Sequence, residues 1–126
     1  MKHVIFSRRN EILRLPLATA FFFEAYGNYC YAVFPNKQKV VLPIGLSQVE
    51  TIIAQNIIGN QPMFMRIGKR FIVNMDVVAQ VDLTKSQLVL SDFDHPGSFA
   101  IPMSKDALKL IKELYTNEKI WKSEKN

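Results

Sequence analysis

The sequence is poor in several residue types that mark particular classes of protein. It has a single cysteine, Cys30, so a disulfide framework within the chain is excluded. Its two histidines, His3 and His95, show no spacing with that cysteine that is typical of a metal site. Its five glycines are isolated, so no glycine-rich phosphate-binding loop is present. We therefore expect neither a metal nor another cofactor.

Long hydrophobic runs are also missing. The longest apolar stretch, residues 18–23, stops at Glu24 and is far shorter than the roughly 20 residues that cross a bilayer. Residues 1–9 lack the apolar core and cleavage site of a secretion signal. We therefore expect a cytoplasmic protein that has no membrane partner.

The charge of the chain is unevenly distributed. The 126 residues are 48% hydrophobic and carry a formal net charge of +5, which indicates one folded domain and favours a polyanionic partner. Residues 66–70 contain three cations and no acid, whereas residues 71–104 contain four aspartates and one lysine. We expect a domain over residues 1–116, followed by a charged tail over residues 117–126.

Short segments rich in aromatic and β-branched residues alternate with turn residues, which is typical of an antiparallel all-β protein. Strands are predicted at residues 28–34, 38–42, 71–73, 77–83, 87–91 and 98–101. Ser47 and Glu50 form a capping-box pattern that predicts the start of a helix. A second helix is predicted from Ser104 to about Tyr115, with a row of lysines on its outer side at 105, 109 and 112.

No constellation of catalytic residues is recognisable. Cys30 lies in an aromatic strand pattern without an orienting partner, and no second carboxylate stands at a useful spacing from Glu24. We therefore expect no enzymatic activity.

Residues 64–74, FMRIGKRFIVN, place three cations around a glycine between apolar anchors. Such a turn projects cationic groups that can pair with phosphates or donate to guanine O6 and N7. The same pattern also occurs in solvated basic turns that bind nothing, so the segment by itself leaves both interpretations open.

Three segments, in order, resemble the signatures of the LytTR-type DNA-binding domain. They are residues 22–29 (FFEAYGNY), residues 64–74 and residues 101–105 (IPMSK), and the resemblance covers roughly residues 3–116. It implies a mainly β fold, with an elongated arrangement of short antiparallel sheets, one internal helix and one C-terminal helix. It further implies that loops, and not a helix-turn-helix, enter successive major grooves.

The resemblance also implies which residues contact DNA. Those implied to read or adjoin bases are Cys30, Lys69 and Lys105. Those implied to contact phosphates or support the loops are Asn28, Tyr29, Arg66 and Arg70. The family commonly has histidine, arginine and serine at positions 68–70, where this chain has Gly68, Lys69 and Arg70. The cationic character is kept, while the arginine fork moves by one position, so an altered base preference is expected.

The expected function is that of a bacterial-type, sequence-specific transcription regulator. We expect it to bind double-stranded DNA as two or more copies on repeated half-sites. About twenty residues precede the first signature, so we expect no receiver domain of the kind found in response regulators. The alternative is a protein-interaction module that keeps the fold, has lost specific DNA binding and contacts a regulatory protein partner.

Overall fold

The computed structural model describes residues 3–56 and 63–116, and the predicted tail lies outside these ranges. Within them, ten strands form three antiparallel sheets accompanied by two helices, which confirms the predicted mainly β fold. The strands are β1 (Val4–Ser7), β2 (Ile12–Leu15), β3 (Phe22–Tyr26), β4 (Tyr29–Val33), β5 (Lys39–Leu42), β6 (Phe64–Ile67), β7 (Phe71–Asn74), β8 (Val78–Asp82), β9 (Gln87–Leu90) and β10 (Phe99–Pro102). The helices are α1 (Leu46–Asn56) and α2 (Lys105–Thr116). Neither helix is long and apolar enough to span a membrane.

The strands are connected into one hairpin, one central sheet and one smaller sheet. β1 and β2 form the hairpin, and the central sheet has the order β5-β4-β3-β7-β6. The smaller sheet has the order β10-β9-β8. All six predicted strands are present, with bounds that differ by at most one residue, and the predicted partner of β4 is indeed β5.

β1, β2, β3 and β6 were not predicted from the sequence. β3 begins inside the apolar run of residues 18–23 and is covered on both faces, so it lacks the alternation that identifies a half-buried strand. In the β1–β2 hairpin, Ile5 and Ile12 are exposed, so hydrophobicity does not follow burial there.

The central sheet separates two hydrophobic cores. Successive side chains of a strand point to opposite faces, so Phe22 and Val73 belong to the core shared with the smaller sheet and α2. Phe23 and Ile72 belong to the core shared with α1 and the β1–β2 hairpin. A register slip of one residue would exchange the two sets of side chains, so the packing on both faces specifies the register.

The start of α1 differs from the predicted capping box. Gly45 is the N-cap residue: its N–H donates to Gln48 Oε1 at 3.1 Å, and its carbonyl accepts from Val49 N–H at 3.1 Å. Ser47 therefore lies inside the first turn, and Glu50 is engaged elsewhere. The prediction was wrong because Gln48, three residues after Gly45, provides the same back-bonding for a helix that begins two residues earlier. α2 begins within one residue of the predicted start, and Ser104 caps it, since its Oγ accepts from Ala107 N–H at 3.2 Å.

Asn74 joins the end of β7 to two neighbouring segments from a buried position. Its side-chain amide donates to Ala20 O at 3.0 Å, and its Oδ1 accepts from Asp76 N–H at 3.0 Å. The second bond caps the short 3-10 turn that leads from β7 into β8.

Replacing Asn74 by alanine should lower the free energy of unfolding by about 2 kcal/mol, because a buried carbonyl and a backbone N–H lose their partners. Urea denaturation followed by circular dichroism measures this change. The matched control is Asn36→Ala, which removes two exposed hydrogen bonds with Gln38, one from its N–H and one to its Oε1, and should cost less than about 1 kcal/mol because water replaces both partners. Equal losses in the two variants would contradict the role given to Asn74.

Candidate nucleic-acid interface

One end of the central sheet carries two tight turns. Gly27 and Asn28 connect β3 to β4, and residues 68–70 connect β6 to β7. Each turn begins with a glycine in the left-handed region, with φ of 60° at Gly27 and 62° at Gly68. A side chain at either position would meet no atom within 4 Å, so the preference for glycine there is conformational and not steric.

The two turns lie side by side because β3 pairs with β7. Glu24 is opposite Phe71, and the next residue, Ala25, donates its N–H to Arg70 O at 2.8 Å. The antiparallel register therefore brings Asn28 and Tyr29 to the same end of the sheet as Lys69 and Arg70. These are four of the seven residues for which the resemblance implies a part in DNA binding.

Arg66 holds the turn of residues 68–70 in place. Its Nη1 lies 2.7 Å from Glu50 Oε1 on α1. Its Nε donates to Gly68 O at 3.0 Å, and its Nη2 donates to Lys69 O at 3.5 Å. Because the guanidinium is occupied by the helix and the turn backbone, the structure fits loop support, the second of the two roles implied for Arg66.

Arg70 and Lys69 present cationic groups to solvent at this turn. The Arg70 side chain is 70% exposed, and its Nε and Nη2 donate to one oxygen of Glu24 at 3.1 and 2.8 Å. The Lys69 side chain is exposed and forms no hydrogen bond or ion pair with the described part of the chain. An ion pair this exposed contributes little to stability, so a phosphate or base can compete for Arg70.

Tyrosines cover the sheet face beside the turns. Tyr26 and Tyr29 are 53% and 44% exposed, and the ring of Tyr26 stacks on Tyr31 with centroids 4.7 Å apart. The ammonium of Lys39 lies 4.4 Å from the Tyr31 centroid. Partial burial raises the pKa of Tyr31, and the hydrogen bond with Tyr26 and the negative charge of Glu24 raise it further. Neither Tyr31 nor Lys39 was predicted to belong to the site, although the pairing of β4 with β5 places both on this face.

Cys30 does not reach this surface. Its side chain is fully buried in the core under α1, and burial raises the pKa of the thiol to about 11. Because side chains alternate along β4, Cys30 points away from the face that carries Tyr29. The implied contact between Cys30 and a base is therefore corrected: the residue fills the core beneath the turn.

Lys105 lies at the start of α2, outside the central sheet. Its Nζ donates to Leu83 O at 2.5 Å and to Ser86 Oγ at 3.1 Å, which ties α2 to the turn between β8 and β9. These two bonds use two of the three N–H donors of its ammonium, and the third remains for an external acceptor. Lys109 and Lys112, further along α2, are exposed as the helical spacing predicts.

Comparisons with known proteins identify the same family for most of the chain. Residues 10–116 match the family model of the LytTr DNA-binding domain. Among solved structures, the chain is similar to the LytTr DNA-binding domain of a methyl-accepting/DNA response regulator from Bacillus cereus. That match has a TM-score of 0.58 and 17% identity, and covers 91% of this chain and 97% of the other, so it shows the fold. No curated protein matches the sequence.

Native Cys30 should react with Ellman's reagent only when the protein unfolds. With a pKa of about 11, roughly 0.1% of the thiol is ionised at pH 8, and burial also blocks the reagent. Guanidinium should release a fast reaction. A Lys109→Cys variant is the internal control, because its added exposed thiol should react at once while Cys30 stays protected. Fast labelling of both thiols in the folded variant would contradict the buried position.

Proposed function

The chain belongs to the LytTR family of DNA-binding domains, and from this we propose that it is a sequence-specific transcription regulator that reads the major groove of duplex DNA. The observation that carries the proposal is the placement of two tight turns side by side, with Lys69 and Arg70 exposed at one of them. LytTR is a DNA-binding family and not an enzyme family. We propose that the protein acts on DNA in the cytoplasm of a bacterium.

Lys69 and Arg70 are the residues that we assign to base contacts. The major groove of B-DNA is about 12 Å wide and admits a two-stranded hairpin, and the β6–β7 hairpin ends in these two side chains. Lys69 offers a flexible ammonium that has no hydrogen-bond or ion-pair partner among residues 3–56 and 63–116. Arg70 offers a planar guanidinium whose orientation is set by Glu24, and a guanidinium is suited to bidentate donation to guanine.

Asn28 and Tyr29 are assigned to the adjacent phosphates. They are exposed at the neighbouring turn, and their polar groups contact the DNA backbone when the β6–β7 turn enters the groove. The N-terminus of α1 is close by, since a Cβ at Gly45 would lie 3.6 Å from the carbonyl oxygen of Asn28. The partial positive charge of a helix N-terminus adds to the attraction for phosphate.

Lys105 is assigned to a second contact region at the start of α2. The exposed lysines of that helix favour phosphate contacts, and Lys105 has a third N–H for a base while Leu83 O and Ser86 Oγ hold its ammonium in place. A single domain offers few side chains for base contacts. Two or more copies on repeated half-sites read more base pairs than one copy does. If bound copies are held together, the second binding event is also strengthened by a high effective concentration.

Alanine at position 69 or 70 should weaken binding to a preferred duplex by about 1–3 kcal/mol, and should weaken binding to a scrambled duplex much less. The preferred duplex is first selected from a random pool with the wild-type protein. Fluorescence anisotropy on both duplexes at two salt concentrations then measures affinity and salt slope. Lys109→Ala, on the exposed side of α2, is the control and should change both affinities about equally.

Two results of this experiment would contradict the assignment. If the Lys69 and Arg70 variants lower both affinities by the same factor, the turn is a phosphate clamp and base contacts lie elsewhere. If the wild-type protein binds all duplexes equally and weakly, the protein-interaction module becomes the better description.

Glu24→Gln should strengthen binding to the scrambled duplex more than binding to the preferred one. The substitution removes a negative charge from the interface and releases Arg70 from a fixed orientation. An exposed ion pair couples its partners by about 0.2–1 kcal/mol, so discrimination between the duplexes should fall by a factor of about 1.4 to 5. The same anisotropy measurement gives the ratio. An unchanged ratio would show that Glu24 does not orient Arg70 for recognition.

A further inference from the structure

A cleft of about 570 Å³ opens at the end of the central sheet opposite to the two turns. It lies where Phe21 precedes β3, where Phe34 follows β4 and where Asn74 ends β7. Strands of five residues at about 3.3 Å per residue separate it from the turns by roughly 15 Å. The cleft is therefore distinct from the surface proposed to bind DNA.

The walls of the cleft combine an apolar floor with a polar rim. Phe21, Phe34, Val40 and Val77 contribute apolar surface, and Asp76, Asp92 and His95 contribute polar groups. The volume falls within the range of about 300–1,000 Å³ that is usual for small-molecule sites, which are likewise mostly apolar with a few polar groups.

The charge of the lining is opposite to that of the protein. Although the chain carries a net charge of +5, no lysine or arginine is among the described residues that line the cleft, whereas two aspartates are. The carboxylate of Asp76 is exposed and makes no hydrogen bond or ion pair within residues 3–56 and 63–116. The cleft therefore presents an acceptor without an internal partner beside an apolar floor.

The loop that supplies Asp92 and His95 is held in one conformation by its own hydrogen bonds. Asp92 Oδ1 accepts from the N–H groups of Asp94 and His95 at 3.0 Å each, and Asp92 Oδ2 lies 2.7 Å from His95 Nδ1. Partial burial raises the pKa of Asp92, but these donors outweigh it and lower the pKa below its ordinary value, which keeps the carboxylate ionised.

Phe93, between these residues, has a φ of 64° and is 82% exposed. A left-handed backbone at a bulky aromatic residue is unfavourable, and such strain is concentrated at functional sites. The strained residue lies in the loop that forms the acidic rim of the cleft.

We propose that this cleft binds a small amphipathic cation, with its apolar body against Phe21, Phe34 and Val40 and its protonated amine facing Asp76. Two observations favour this occupant: the apolar floor suits an apolar body, and the Asp76 carboxylate, which has no hydrogen-bond or ion-pair partner among the described residues, suits a positive charge. An anion of the same shape is disfavoured by the same carboxylate.

Three probes that share an indole ring test the proposal: tryptamine, which is a cation, 3-methylindole, which is neutral, and indole-3-acetate, which is an anion. Each is titrated into the full chain and followed by two-dimensional ¹H–¹⁵N NMR. Tryptamine should give saturable shifts at residues that line the cleft, with a Kd about tenfold below that of 3-methylindole, as a charge-assisted contact of about 1.4 kcal/mol implies. Indole-3-acetate should not saturate.

Two variants and one control locate the site. Asp76→Asn should remove most of the preference for tryptamine over 3-methylindole, while Asp106→Asn, which makes the same charge change on α2, should leave it unchanged. Gln38→Trp, at an exposed position on the cleft wall, should weaken both probes by filling the space. The NMR spectrum of each variant verifies that it is folded.

The proposal is overturned if no probe saturates, if indole-3-acetate binds as well as tryptamine, if the shifts map outside the cleft, or if Asp76→Asn has no more effect than Asp106→Asn. None of these measurements contains DNA. If the probes do not bind as expected, the proposed DNA-binding function is unaffected. If the protein does not bind DNA, the probe titrations still test the cleft.

Discussion

β3 and β7 come from distant parts of the chain, and their pairing joins the β3–β4–β5 segment to the β6–β7 hairpin in one sheet. Glu24 and Arg70, 46 residues apart, meet only because of this register. The same pairing places the two turns side by side at one end and brings Asn74 to Ala20 at the other. The interface and the cleft are thus the two ends of one set of hydrogen-bonded strands.

Strands with alternating or compact apolar patterns were predictable from the sequence, and β4, β5 and β7 to β10 lie where they were expected. β3 was not, because burial on both faces removes the period of two on which such a prediction relies. The cap of α1 lies two residues before the predicted one because Gly45 with Gln48 and Ser47 with Glu50 have the same spacing and each pair can cap a helix. The two possible caps differ in what Glu50 does: in the structure it pairs with Arg66 on β6, so it does not bond back to Ser47. That contact is not visible in the local sequence.

The candidate site was predictable as a set of segments and not as a surface. The resemblance assigned the segments around Asn28 and Lys69 to one site, and the structure places them at one end of the central sheet. The resemblance did not show that Tyr29 is exposed and Cys30 buried, since the layers that cover the sheet determine which face of a strand is accessible. The partners of Lys105 and the lining of the cleft come from segments far apart in the chain, so no local pattern contains them.

The position of the central sheet between two cores has a consequence for how the domain behaves as a whole. Neighbouring residues of β3 and β7 belong to different cores, so each core supplies one of the two covering layers of the same strands. If either layer detached, the inner strands would expose apolar side chains and lose the packing that specifies their register. The two cores therefore unfold together as one cooperative unit. A ligand that stabilises the sheet at either end stabilises the whole domain.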